Sequence, residues 1–146
     1  MKKIFLLFSI MLATSNSFAD CSINYIGSDD LKHLIKERKF EFDSYDKLCK
    51  KLKDNNAGVS FTSITQISPY QTTASVSLAL YPLGDKYKGI TIGSDDWIGY
   101  EEERTSKAEK DRLYSLAMYA LEQLANKPEK LNSLLTEVRE MRAATK

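Results

Sequence analysis

Two segments in the first half of the chain carry apolar residues at the three- and four-residue intervals of an amphipathic helix. The segments cover residues 29–39 and 44–54. Their apolar positions are Leu31, Leu34 and Ile35 in the first segment and Leu48, Cys49 and Leu52 in the second. Ser28 precedes the first segment and Asp43 and Ser44 open the second, where such side chains can accept a hydrogen bond from a free backbone N–H. The pattern therefore predicts two short helices, each with one apolar face.

After the second helix, the pattern changes to an alternation of apolar and polar residues, which is the period of a half-buried β-strand. The alternation is clearest over 72–81 and weaker over 59–65, and a turn at 68–71 separates these segments. The inward positions of the clearer segment are Ala74, Val76, Leu78 and Leu80. Residues 88–93 form the third predicted strand, and 97–100 extend or follow it. Because the turns are too short for helical crossovers, we expect a small antiparallel sheet of about three strands.

The helical period returns near Thr105 and continues in two segments. Ser106 and Glu109 have the spacing of a capping box, and Pro128 is suited to the first turn of the last helix. The apolar faces consist of Leu113, Leu116, Ala117, Ala120, Leu121 and Leu124 in one segment and Leu131, Leu134, Leu135, Val138 and Met141 in the other. The predicted order is ααβββαα, an α+β fold with the helices on one face of the sheet. No linker interrupts residues 20–146, which we expect to form a single domain.

The first 19 residues have the pattern of a secretory signal peptide. Lys2 and Lys3 form a basic start, residues 4–13 are apolar, and small residues precede a cleavage site after Ala19. An uncleaved membrane anchor is the alternative, but the apolar run is short for a span, and no later segment is apolar for long enough. We therefore expect a bacterial periplasmic protein, with secretion out of the cell as the alternative.

Cys21 and Cys49 are the two cysteines of the chain. An even number of cysteines in an exported protein indicates a disulfide, and this one would close a loop of about thirty residues and stabilise the fold by ~3–4 kcal/mol. A pair of reactive thiols is the alternative, but the chain has no Cys-x-x-Cys motif. Lipid attachment at Cys21 normally requires a small uncharged residue before it, and Asp20 occupies that position. We expect a structural disulfide.

The charge balance and the residue types argue against several classes of function. The chain has 21 Lys and Arg and 20 Asp and Glu; subtracting Lys2 and Lys3 leaves 19 against 20, so the mature protein has a net charge near −1. Nucleic-acid binders are normally basic, so nucleic acid is not an expected partner. His33 is the only histidine, and the chain lacks a nucleophile elbow, a phosphate-binding glycine loop and a dinucleotide fingerprint. We expect no catalytic centre, no cofactor and no metal site.

The pentapeptide Ile-Gly-Ser-Asp-Asp occurs at 26–30 and again at 92–96. The first copy is interpreted as a helix start, because Ser28 precedes two aspartates that favour the positive end of a helix dipole. The second copy follows a predicted strand, where glycine and aspartate are typical of a turn. A calcium site is the alternative, since 101–103 adds three glutamates, but the alternating oxygen ligands of a calcium loop are missing. Because the flanking sequences differ, we interpret the repeat as a coincidence.

The stretch 94–103 combines the one tryptophan of the chain with a tyrosine and five acidic residues. We expect an exposed contact loop, in which the aromatic side chains anchor a partner and the carboxylates complement its basic charge. The candidate binding residues are Asp95, Asp96, Trp97, Tyr100, Glu101 and Glu102. The alternative is that Trp97 and Ile98 return the chain to the core.

These features favour a non-enzymatic periplasmic protein that binds another protein, most concretely an immunity or inhibitor protein against a toxin or hydrolase that acts in the periplasm. The first alternative is an accessory or chaperone subunit of an envelope or secretion system, in which strand 72–81 pairs with an extended client. The second alternative is a small secreted hydrolase, in which Asp95 or Asp96 acts together with Glu101.

Overall fold

The computed structural model describes residues 21–144, which form four α-helices and a four-stranded sheet. The predicted signal peptide, residues 1–19, lies outside the described residues. In chain order the elements are β1 (Tyr25–Ile26), α1 (Asp29–Arg38), α2 (Tyr45–Asp54), β2 (Ala57–Ile67), β3 (Thr72–Pro82), β4 (Ile92–Glu101), α3 (Ser106–Ala125) and α4 (Pro128–Ala144). The predicted α+β class is confirmed.

Strand β3 lies inside the sheet and is paired along both of its edges. Its antiparallel ladder with β2 runs without a break over eleven residue pairs. Strand β4 covers the other edge, from Thr72 opposite Glu101 to Leu80 opposite Ile92. Every second residue of β3 is buried, starting at Thr72. The predicted inward positions are therefore confirmed for Ala74, Val76, Leu78 and Leu80.

The sheet is mixed rather than purely antiparallel, because the short strand β1 runs parallel to β2. Tyr25 lies opposite Val59, and Ile26 lies opposite Ser60. The prediction of about three antiparallel strands lacks this fourth strand, since two residues are too few to show an alternation. The order across the sheet is β1-β2-β3-β4.

A disulfide joins Cys21 and Cys49, as the sequence predicts. It ties the segment before β1 to α2 across 28 positions of the sequence, with the two Cα atoms 6.0 Å apart. The Tyr45 hydroxyl, in the same helix as Cys49, donates a hydrogen bond of 2.8 Å to the Cys21 carbonyl. The bridge therefore fixes β1 and α1 against the rest of the domain.

The helices cover one face of the sheet, and α3 is the central one. It contacts β2, β3 and β4 on the sheet side and the other three helices around it. The predicted apolar faces are buried at Leu31, Leu34, Ile35, Leu48, Cys49, Leu52, Leu113, Leu116, Ala117, Ala120, Leu121, Leu124, Leu131, Leu134, Leu135 and Val138. Met141 is only partly buried, at the edge of this core. The 3.6-residue period of the sequence thus identifies which side of each helix meets the sheet.

Two helix starts use local hydroxyl caps. The Ser28 hydroxyl accepts a hydrogen bond of 3.4 Å from the Leu31 N–H, so the first pentapeptide begins α1 as predicted. Thr105, rather than Ser106, caps α3 by accepting from the Ala108 N–H at 3.1 Å. The predicted capping box is therefore wrong by one residue, because the preceding threonine offers the same hydroxyl chemistry.

The start of α2 is capped from a distant helix. Ser44 makes no side-chain bond to its own helix. Instead, the Glu122 carboxylate in α3 accepts from the Ser44 N–H at 2.9 Å and from the Ser44 hydroxyl at 3.0 Å. The backbone hydrogen bond from Ser44 is the main reason that the pKa of Glu122 lies below its ordinary value, with Asn126 contributing. A negative side chain from α3 thus closes the positive end of α2.

The connection between β3 and β4 differs from the prediction. The expected third strand at 88–93 begins later than predicted: residues Asp85–Tyr87 form a 3₁₀ turn, and β4 runs from Ile92 to Glu101, which includes the predicted extension at 97–100. The Tyr87 side chain is buried, and the Arg142 guanidinium in α4 lies over its ring. Arg142 also donates a hydrogen bond of 2.6 Å to the Leu83 carbonyl. These contacts with α4 hold the start of the connection in a turn, although the isoleucines at 90 and 92 favour a strand over residues 88–93.

Strand β4 starts with a bulge. Between the pairs formed by Leu78 and Leu80, β4 contains one residue more than β3 does. Gly93 has a φ of 62°, a conformation in which a side chain is unfavourable. A Cβ at this position would also overlap Leu134 Cδ2 of α4. Glycine is therefore required at 93 for both its conformation and its lack of a side chain.

Gly93→Ala should destabilise the domain more than Gly89→Ala does. Gly89 also has a positive φ, of 81°, but no atom lies within 4 Å of a Cβ built there. Gly89→Ala therefore carries only backbone strain, about 1–2 kcal/mol, whereas Gly93→Ala adds overpacking against Leu134 for a total of about 2–4 kcal/mol. Urea unfolding of both variants measures the difference, and equal losses would contradict the close contact with α4.

Glu122→Gln should lower the free energy of unfolding at neutral pH. It should also make that free energy fall less steeply as the pH is lowered into the acid range. A carboxyl whose pKa is lowered by folding binds protons more readily in the unfolded state. Its contribution is therefore fully present above the unfolded pKa, near 4.5, and is lost as the pH falls through the folded pKa. Chemical unfolding at a series of pH values tests this, with Glu137→Gln on the exposed side of α4 as the control. Parallel pH profiles for wild type and Glu122→Gln would contradict the capping role.

Candidate functional site

All candidate residues except Glu102 lie in a strand. The predicted contact loop at 94–103 is therefore wrong for residues 94–101, which belong to β4. Strand β4 extends from Ile92 to Glu101 and pairs with β3 beyond the bulge. The second pentapeptide is therefore part of a strand and does not form the predicted turn. Pairing with β3 supplies the backbone partners that outweigh the turn preference of glycine and aspartate.

Strand alternation separates the candidate residues onto two faces. Asp95, Trp97 and Glu101 stand opposite Leu78, Val76 and Thr72, which point towards the helices. Asp96 and Tyr100 point to the uncovered side, which we call the open face. Glu102 follows the strand and is exposed. The six candidate residues therefore do not lie on one continuous surface.

The helix-side residues fasten β4 to the helices. Asp95 forms an ion pair with Lys130 of α4, and Glu101 Oε2 lies 2.6 Å from a terminal nitrogen of Arg112 in α3. Trp97 is partly buried and packs against the core. A Cβ at Gly99 would lie 2.9 Å from Arg112 Cδ, so this glycine makes room for the arginine stem. The alternative interpretation, that Trp97 and Ile98 return the chain to the core, holds for Trp97 but not for Ile98, which is 61% exposed.

The open face carries several large apolar side chains that are exposed to solvent. Ile64, Ser75 and Ile98 form a row across three strands, with the two isoleucines 71% and 61% exposed. Tyr100, 58% exposed, follows in the next row of the same face. Apolar residues on the solvent side of a sheet are the unusual feature here, because the covered side already supplies the core.

These residues belong to a larger cluster at one end of the sheet, which we call the hairpin-end patch. Its members are Ile64, Tyr70, Ile98 and Tyr100, whereas the exposed Ile67 lies opposite the buried Thr72 and so on the helix side. The four members are among the seven large apolar side chains that are exposed within residues 21–144. Tyr70, at the tip of the β2–β3 turn, is 87% exposed. The patch thus concentrates exposed apolar surface where β2 turns into β3.

The turn that presents Tyr70 is held in one conformation. The Ser68 hydroxyl accepts from the N–H groups of Tyr70 and Gln71, at 3.2 and 3.0 Å. The same hydroxyl donates to the Gln71 carbonyl at 2.8 Å, and Arg104 donates to the Pro69 carbonyl. The predicted turn at 68–71 is confirmed, and its hydrogen bonds limit the entropy that a partner must remove on binding Tyr70.

The rest of the open face is polar and shallow. A hollow of ≈ 490 Å³ lies beside the bulge. Its lining residues are Ser60, Thr62, Ser77, Ala79, Thr91, Gly93 and Ser94. Ser77 donates a hydrogen bond to Asp96, the acidic side chain at the centre of the face. The hollow offers hydroxyl groups but no enclosed cleft.

The geometry does not bring together the carboxylates of the hydrolase hypothesis. Asp95 and Asp96 point to opposite faces. Asp95 and Glu101 share a face but stand six residues apart, about 20 Å along a strand. Paired glycosidase carboxylates lie about 5–10 Å apart. His33 is exposed on α1, and residues 21–144 contain no group of three or more His, Cys, Asp or Glu side chains arranged to hold a metal ion.

The alternative in which strand 72–81 pairs with an extended client is also wrong, because this strand is β3 and has no free edge. Strands β2 and β4 occupy both sides of it along most of its length. Within the described part of the chain, the longest free edge is that of β4, the last strand in the sheet order. None of the described helices has the length and apolar character needed to cross a membrane.

Trp97→Ala should destabilise the domain, whereas Tyr100→Ala should not. Trp97 packs against the core, so its removal should cost about 2–3 kcal/mol. Tyr100 is largely solvated, so its loss should change stability by less than about 0.5 kcal/mol. Thermal and urea unfolding of the two variants measure the contrast. Similar losses for both would mean that the strand does not divide these residues between two faces.

Comparison with known proteins gives no further guide to the site. No protein-family model, no curated protein and no solved structure matches the chain. Inference about function therefore rests on the chemistry of the exposed side chains. The feature that stands out is an apolar patch on a sheet face that the helices leave uncovered.

Proposed function

We propose that this protein is an exported, non-enzymatic domain that binds another protein through the hairpin-end patch. The observation that carries the proposal is the concentration of exposed isoleucine and tyrosine side chains at one end of the sheet. Scattered single apolar residues are normal on a protein surface, but a contiguous group typically marks a contact site. The other face of the sheet is filled by helices, so these side chains are not needed for the core.

The chemistry of the patch suits a protein partner better than a small molecule. Tyrosine and isoleucine offer large, rigid contact areas, and tyrosine is enriched among residues that dominate binding energy. The open face is broad and shallow, whereas small ligands are usually enclosed by a pocket. The fixed turn around Tyr70 provides an anchor that is already ordered before contact.

Acidic side chains near the patch favour a basic partner surface. Asp95 and Glu101 are neutralised by Lys130 and Arg112. Asp96, by contrast, accepts a hydrogen bond from the Ser77 hydroxyl and is exposed between the patch and the hollow. Glu102 is exposed just beyond Tyr100. A rim of negative charge around an apolar centre steers a positively charged partner and contributes mainly to the association rate.

The proposed setting is the periplasm, and the most concrete role is that of an immunity or inhibitor protein for a toxin or hydrolase acting there. Three features support it: the signal-peptide pattern of residues 1–19, the Cys21–Cys49 disulfide, and a small rigid domain with an apolar contact patch. An inhibitor needs a preformed surface that covers a target, and it needs no catalytic centre of its own.

A triple variant, Ile64→Ser/Tyr70→Ser/Tyr100→Ser, should lose the partner while keeping its fold. Tagged mature protein would be used to capture the partner from periplasmic extract, and binding would then be measured with the purified pair. We expect the affinity of the variant to fall at least about a hundredfold, because anchors of this kind each contribute ~1–2 kcal/mol or more. Wild-type affinity should also decrease at high ionic strength.

The matched control is Tyr119→Ser, which removes an exposed tyrosine from α3, away from the open face. It should bind the partner as the wild type does. Equal affinity of the triple variant and the control would place the interface elsewhere. Failure of the wild type to retain any purified partner would contradict the binding function itself.

A further inference from the structure

Strand β4 presents a free backbone edge. It is the last strand in the sheet order, and among the described residues no strand pairs with its outer side. The bulge at Gly93 disrupts its beginning, which leaves residues 95–101 as a regular run of seven. An unpaired edge of this length is a template for another strand, since its outward N–H and C=O groups have no partner within a sheet.

We propose that two copies of this protein pair β4 with β4 in antiparallel orientation, around a two-fold axis at Ile98. The two four-stranded sheets then form one continuous sheet of eight strands. In this register Ile98 lies opposite Ile98 of the second copy. Trp97 lies opposite Gly99 of the second copy, and Asp96 lies opposite Tyr100.

Two of these opposed pairs are chemically complementary. Ile98 is 61% exposed, and directly opposed residues approach to about 5 Å, so the two isoleucines cover each other. Trp97 lies opposite Gly99, whose space on the helix side is already filled by the Arg112 stem, so this pair adds no side-chain contact. The exposed Asp96 carboxylate is placed to accept a hydrogen bond from the exposed Tyr100 hydroxyl.

The ends of the paired segment are balanced in charge. Asp95 lies opposite Glu101 of the second copy, which alone would be repulsive. However, Asp95 already carries Lys130 as its partner, and Glu101 carries Arg112. Each end of the pairing therefore brings together two carboxylates and two cations, with no net charge. The acidic character of the strand does not oppose self-pairing in this register.

The size of the contact predicts a weak, reversible dimer. Seven paired residues span about 23 Å. A contact of that length buries on the order of 1,000 Å² over both copies, which is the lower limit for a specific interface. The dimer would also place two open faces side by side, so that two hairpin-end patches act on one surface. The two proposals share Ile98 and Tyr100, but Ile64 and Tyr70 lie away from the pairing edge, in β2 and in the turn that follows it, so partner binding can be tested there alone.

Charge substitutions at the two-fold axis test the register. In Ile98→Lys two lysines would face each other, and in Ile98→Asp two aspartates would, so each variant should self-associate about tenfold or more weakly than the wild type. An equimolar mixture of the two variants should associate again, because lysine then faces aspartate. Sedimentation velocity over a concentration series measures all three samples, and circular dichroism verifies that the exposed substitutions leave the fold intact.

The control is Ile64→Lys, which puts the same charge on the same face but on β2. It should dimerise like the wild type. A wild type that stays monomeric at the highest concentration would overturn the proposal, as would an Ile98→Lys variant that dimerises normally. Loss of the dimer in Ile64→Lys instead would point to stacking of open faces, and failure of the mixed variants to associate would exclude the two-fold axis at Ile98. Because Tyr100 belongs to both contacts, the capture experiment is repeated with Ile64→Ser/Tyr70→Ser, which leaves the pairing edge intact and lets the two proposals fail separately.

Discussion

The pairing of β3 along both edges is the constraint on which the rest of the structure depends. It fixes the side to which each residue of β2 and β4 points, because opposed residues in a sheet share a face. Alternate residues of β3 are buried beneath α3 and α4. A shift of one residue in β4 would expose Trp97 and bury Ile98 and Tyr100, and it would break the ion pairs of Asp95 and Glu101.

Much of the architecture is predictable from the sequence where the signal is local and repeated. The apolar faces of all four helices and the alternation of β3 extend over enough residues to be unambiguous. The prediction fails where contacts between distant parts of the chain determine the local backbone conformation. Strand β1 has two residues and depends on β2, while Tyr87 is drawn into a turn by its contacts with Arg142.

The repeated pentapeptide illustrates how context overrides local preference. The first copy begins a helix, because Ser28 caps it and its aspartates lie in the first turn. The second copy has the same five residues but forms a bulged strand against β3. Ile26 is 43% exposed, whereas the equivalent Ile92 is only 4% exposed. Five residues carry too little information to select a conformation without the partners that pair with them.

The arrangement of the candidate residues could not be predicted from the sequence. Sequence reasoning selects Asp95 to Glu102 by composition, and a strand then divides them between structural and exposed roles. Ile64 and Tyr70 were missed, because they are distant in sequence and come near Tyr100 only through the pairing of three strands. A signal for Ile64 exists, since it alternates in phase with the polar residues Ser60 and Thr62.

The central claim is that β4 presents Ile98 and Tyr100 to solvent while it holds Trp97 against the helices. Hydroxyl-radical footprinting of the mature protein, read residue by residue by mass spectrometry, tests it most directly. The account predicts rapid modification of Tyr70 and Tyr100, slower modification of Ile98 in keeping with its lower intrinsic reactivity, and protection of Trp97 despite the high reactivity of indole. Modification of Trp97 as fast as that of Tyr100 would contradict the division of the strand into a helix-packed face and an exposed face.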